Sequence, residues 1–148
     1  MKAITIKGFY IVISLFLLNS CDFFASGSYP FAEYYTFKTY SKESLIKRIN
    51  IFKENNPEYE LPKGGYRDKD TSTGYIVYFY FPDKDITLFC VIKYAANPVR
   101  LGFESYSNGT NGGGWLRINK DIKKSESAKL KKKFEIEILN EIGGWSKK

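Results

Sequence analysis

Three runs near the middle of the chain carry its strongest hydrophobic signal: "YIVYFYF" at 75–81, "ITLFCVIKY" at 86–94 and "VRLGFESY" at 99–106. The first is apolar or aromatic on both faces and the second nearly so, the pattern of strands covered on both sides. The third alternates, with Val99, Leu101 and Phe103 on one side and Arg100, Glu104 and Tyr106 on the other. The links between them, "PDKD" and "AANP", are too short for a parallel return, which needs about a dozen residues, so the three runs are antiparallel neighbours. "NGTNGGG" at 108–114 then supplies Asn-Gly pairs suited to hairpin turns, and "WLRI" predicts a fourth strand ending near Ile118. "EYYTFKTY" at 33–40, rich in aromatics and threonine, reads as an earlier strand.

Two segments follow a helical period. Ser41 is placed as an N-cap with Glu43 in the first turn, Leu45, Ile46, Ile49 and Phe52 form one apolar stripe, and Asn55, Asn56 and Pro57 close it. Near the end of the chain "KFEIEIL" alternates like a strand, while Leu130, Phe134, Ile138 and Ile142 recur every four residues. The length of this stretch and its Gly143-Gly144 stop favour a helix from about Ser125 to Ile142. Residues 57–74 mix proline, glycine and charge without a period and read as a long loop, a kind of segment often used for partner contact. The expected architecture is one α+β domain over residues 33–148. Its centre is an antiparallel meander of three to four strands, Tyr75 to about Ile118, packed against the two helices on one face.

Composition agrees with a folded chain: 148 residues, 43% hydrophobic, 18% aromatic and 26% charged, enough to bury one core and only one. The first twenty residues do not belong to that core. Lys2 and Lys7 are the only charges before Cys21, and "GFYIVISLFLL" at 8–18 has the roughly 7 to 15 residue length of a signal h-region. It is short of the about 20 residues that span a bilayer.

"LLNSCDFF" at 17–24 ends that run on a cysteine. Leu18, Asn19, Ser20 and Cys21 resemble the lipobox of bacterial lipoproteins, with leucine three residues before the cysteine and a small residue one before it. The resemblance covers residues 1–21 only. It implies a lipoprotein signal peptide at 1–20, cleavage between Ser20 and Cys21, a diacylglycerol on the Cys21 sulfur and a palmitate-type acyl group on its new amine. Residues 21–32 would then be a lipidated tether. Two or more acyl chains, at about 0.8 kcal/mol per buried CH₂, hold a protein stably where one does not. The other readings of the stretch are an uncleaved anchor helix and a cysteine that follows an ordinary signal by chance. Asp22 resembles the inner-membrane retention signal of some enteric bacteria, a rule other groups do not use. The expected location is the bacterial cell envelope, outer membrane ahead of inner, on the periplasmic or the outer surface.

The formal charge of +7 is uneven. Residues 21–119 are nearly balanced, whereas residues 120–148 carry nine lysines against five acids. Lys131, Lys132 and Lys133 are candidate contacts for an anionic partner, with a solvated helix face as the plainer reading. In an envelope protein nucleic acid is not an expected partner.

The chain has no histidine, which removes the usual general base and serine-histidine or cysteine-histidine catalysis. Cys90, mid-strand in "LFCVI", reads as a buried inert thiol. Gly109 and Gly114 have the glycine spacing of a phosphate-binding loop, but Trp115 and Leu116 stand where lysine and a hydroxyl residue are required. Asp68 with Asp70 and Asp83 with Asp85 are the remaining acid-base or Ca²⁺ candidates, all in turn-like sequence. No cofactor and no metal are expected. Tyr75, Tyr78 and Tyr80 are the candidate binding surface, because tyrosine brings contact area at little entropic cost. The expected function is a non-catalytic lipoprotein that binds a macromolecular partner, an inhibitor or immunity-type protein being one form. A carboxylate-dependent envelope hydrolase is the alternative.

Overall fold

The structure is a computed structural model that describes residues 29–94 and 96–147. The signal segment 1–20, the Ser20–Cys21 junction with its lipidation site, and the tether as far as residue 28 lie outside the described residues.

The elements run β1 (Glu33–Phe37), α1 (Lys42–Asn55), a 3₁₀ turn (Pro57–Tyr59), β2 (Lys69–Asp70), β3 (Gly74–Phe81), β4 (Ile86–Lys93), β5 (Val99–Asn108) and β6 (Gly113–Arg117). They end with α2 (Lys124–Phe134), a π-helical turn (Glu135–Leu139), α3 (Asn140–Ile142) and β7 (Trp145–Lys147). The class is α+β, and the meander β3-β4-β5-β6 forms the middle of the sheet. The sheet is larger than three to four strands: seven pair in the order β2-β3-β4-β5-β1-β7, with β6 also on β5.

Three strands account for the difference. β5 is ten residues long, so its free edge accommodates two partners. β1 pairs with its first half, from Phe37 opposite Val99 to Glu33 opposite Phe103, and β6 pairs with its second half, from Ser105 to Asn108. β2 and β7, of two and three residues, are too short to display any alternation. They exist because β3 and β1 offer unpaired backbone edges, and such short strands also protect those edges from pairing with another chain.

The helices cover one face. Val77, Phe79 and Phe81, Leu88 and Ile92, Leu101 and Phe103 meet Leu45, Ile49 and Phe52 of α1 and Leu130 and Phe134 of α2, all buried. Phe134 is at the centre, its ring centroid 5.7 Å from Tyr35, 5.6 Å from Phe79 and 5.2 Å from Phe103. Ser41 caps α1 as expected, its hydroxyl oxygen accepting the Ser44 N–H at 3.2 Å.

The second helical segment explains its own unusual spacing. Four residues advance about 400° in an α-helix, so three such steps from Leu130 to Ile142 would rotate the stripe about 120° away from the core. The π-helical turn at Glu135–Leu139 takes up one extra residue and removes most of that drift. Leu130, Phe134, Ile138 and Ile142 consequently all stay buried. The segment ends where expected, at Gly143 with φ +74°, whose N–H donates to the Leu139 carbonyl at 2.8 Å.

Candidate functional site

The face of the sheet away from the helices is aromatic. Alternation places Tyr78 and Phe89 there as a direct cross-strand pair with ring centroids 5.6 Å apart. Trp115 of β6 joins them, 5.8 Å from Phe89. Tyr66, from the segment before β2, stacks on Tyr78 at 5.0 Å with an interplanar angle of 20°, lies 5.6 Å from Trp115 and remains 38% exposed. Its seat depends on Gly112, which has φ +61° and where any Cβ would collide with the Tyr66 ring. Tyr29 closes the far side, edge-on to Phe89 at 5.9 Å.

Among these rings lies a carboxylate. The β4-β5 register runs Phe89 opposite Ser105 and then Cys90 opposite Phe103, so Glu104 is the extra residue of a β-bulge. Its carbonyl accepts the Ile118 N–H at 2.9 Å. Its side chain lines a recess of about 390 Å³ together with Tyr29, Tyr78, Phe89, Trp115, Arg117 and Asp121. Glu104 is 8% exposed, and its Oε2 has no hydrogen-bond partner among the described residues. Burial pushes its pKa above the ordinary glutamate value, against the pull of Arg117 and Lys93.

The neighbouring charges are already engaged. Arg117 donates from Nε to Asp121 Oδ2 at 2.7 Å and from Nη2 to Oδ1 at 2.9 Å, and its backbone N–H reaches Oδ2 at 2.9 Å. Those bonds hold the Asp121 carboxyl down to about 2. The Lys93 ammonium lies 4.6 Å over the Tyr29 ring, and burial lowers its pKa.

The residues expected from the sequence are distributed differently. Tyr78 belongs to the aromatic face. Tyr75 alternates to the helix side, packs against the core and lines a second cavity, of about 530 Å³, between α1 and the loop before β2, which Tyr66 and Tyr78 also line. Tyr80 donates its hydroxyl proton to Asp85 Oδ1 at 2.7 Å. Lys131 pairs with Glu33 at 2.9 Å, and Lys133 bridges Asp83 at 3.1 Å and Glu137 at 2.7 Å, while Lys132 is exposed. These three lysines therefore do not present one free basic patch.

The aspartate candidates have local partners as well. Asp68 pairs with Lys53 and accepts the Tyr78 N–H, and Asp70 accepts the Thr71 N–H. Among the described residues no group of three or more histidine, cysteine, aspartate or glutamate side chains is placed to hold a metal ion. Cys90 is fully buried, and burial drives its pKa well above the usual thiol value. Gly109 and Gly114 belong to the β5-β6 hairpin and open no helix.

Glu104, Trp115 and Tyr66 were not singled out by sequence. Simple alternation put Glu104 and Tyr106 on a common side of β5. The bulge separates them, sending Tyr106 into the core with its hydroxyl donating to Glu126 at 3.1 Å.

Comparison with protein-family models, with curated proteins and with solved structures gave no match. Among the described residues no helix is long and apolar enough to cross a membrane.

Proposed function

We propose that this chain is a lipid-anchored lipoprotein of the bacterial envelope whose α+β domain is non-catalytic and binds a macromolecular partner through the outer face of the sheet. The observation that carries the binding part is the convergence of Tyr66, Tyr78, Phe89 and Trp115 on one face, with Tyr66 substantially exposed. Aromatic residues of this kind dominate protein interfaces because they bury large areas while losing little side-chain entropy. The anchor rests on Leu18, Ser20 and Cys21. An inhibitor or immunity-type role is one form of the same reading.

The hydrolase alternative has one observation in its favour. Glu104 and Asp121 line the same recess, and their pKa values are pushed in opposite directions, up and down, as in an acid and base pair. Asp121, however, spends both oxygens on Arg117 and has no lone charge to offer a substrate or a water. Binding is the better use of this face.

The test compares intact mass and membrane fractionation of the native protein with a Cys21→Ser variant, followed by partner capture from the envelope with wild type and Trp115→Ala. The expected result is a mature chain that starts at residue 21 with a lipid-sized mass increment and stays in the membrane fraction. The serine variant leaves that fraction, and Trp115→Ala loses the captured protein. An unlipidated wild type overturns the anchor, and capture that ignores Trp115 overturns the assigned surface.

A further inference from the structure

We propose that the Glu104 recess is the seat of a guanidinium group, supplied by an arginine side chain of the protein partner. This rests on the partner-binding reading above and names the chemistry that the partner must present.

The carboxylate is the first reason. Among the described residues Glu104 is the one buried charged side chain with an enclosed atom, Oε2, left without a hydrogen-bond partner, and it is 8% exposed. A buried unpaired carboxylate disfavours folding unless something outside the chain completes it. Nothing within the described fold does so. Arg117 is committed to Asp121 by three hydrogen bonds, and Lys93 rests over Tyr29.

The walls are the second reason. Tyr78, Phe89 and Trp115 line the recess together with Glu104, and aromatic walls of this kind attract a weakly hydrated cation. The molecule already pairs its own cations with rings in this neighbourhood: the Arg117 guanidinium lies 5.3 Å from the Phe31 centroid, and Lys93 lies over Tyr29.

Charge balance is the third. The lining carries Glu104 and Asp121 against Arg117 alone, a net negative charge that a cation neutralises and a neutral ligand does not. Guanidinium fits better than ammonium because its planar fork gives two N–H bonds to one carboxylate while its face lies on a ring, and it is less costly to desolvate.

The test titrates the full chain, solubilised in detergent, with N-acetyl-arginine amide. It uses a Trp145→Phe background, in which Trp115 is the remaining tryptophan and reports by fluorescence. The expected result is a saturable change that the matching citrulline amide, equal in shape but uncharged, does not produce. Glu104→Gln should weaken arginine binding at least about tenfold, the worth of a charge-assisted hydrogen bond, while keeping the wild-type circular dichroism and a melt that is still cooperative. An equal response to citrulline, a response to a neutral disaccharide in place of arginine, unchanged binding by Glu104→Gln, or no saturable change overturns the inference. Because the probe contains no partner, its failure alongside intact partner capture sinks the recess assignment alone. Its success alongside failed capture sinks the macromolecular reading.

Discussion

The Lys53 ammonium lies 2.6 Å from Asp68 Oδ2, and the other oxygen of that carboxylate accepts the Tyr78 N–H at 2.8 Å. Asp68 thus continues the edge pairing where the two-residue β2 falls short, and it joins α1 to the strand that carries the aromatic face. Both side chains are largely buried, at 9% and 16% exposure. Removing one partner leaves a buried charge alone, so Asp68→Ala should lower stability by about 3 kcal/mol in urea unfolding. A loss within about 0.5 kcal/mol would mean that the pair behaves as an exposed one.

Glu104→Gln is expected to act in the opposite sense, raising stability by about 1 kcal/mol at neutral pH by removing an unpaired buried charge. The folded-state pKa of Glu104 is raised, so the native state binds a proton more readily than the unfolded state, and wild-type stability falls as pH rises through that window. The advantage of the glutamine variant should therefore shrink as pH drops toward and below the ordinary glutamate value, where the wild-type side chain is protonated in both states. Thermal melts of the two proteins across pH 3 to 8 check this, expressed in pH steps of about one unit.

Phe134 is fully buried and touches rings from β1, β3 and β5. Truncation to alanine should cost about 3–5 kcal/mol, since rings held on three strands cannot all move inward to fill the cavity. Chemical denaturation measures it. Ile136→Ala, two residues away at a side chain 53% exposed, serves as the control and should change stability by less than about 0.5 kcal/mol.

Cys90 should be silent to a thiol reagent in the folded protein and react fully in denaturant, because it is enclosed mid-sheet and its pKa is raised. Rapid native-state labelling of Cys90 in a Cys21→Ser background, where it is the remaining cysteine, would contradict both the placement of β4 and the inert reading of the thiol.

Much of this architecture is carried by local pattern. The meander from β3 to β6, the capped α1 helix and the C-terminal helical segment follow from alternation, a serine cap and four-residue spacing, because each depends on neighbours close in sequence. What pattern could not supply was decided at longer range. β2 and β7 have too few residues for a period and form only because another strand presents an edge. The bulge at Glu104 shifts the register of β5 by one residue, and with it the face taken by every residue beyond, which is why Glu104 and Tyr106 part company.

The same division holds for the site. The sequence by itself determined that the domain would be α+β, that no histidine-based chemistry was available and that Tyr78 was a candidate contact. Tyr66, Trp115 and Glu104 are scattered over about fifty residues and meet only in the tertiary structure. Burial is a property of the assembled sheet and its loops, and burial is what turns an ordinary glutamate into an unpaired charge beneath aromatic rings.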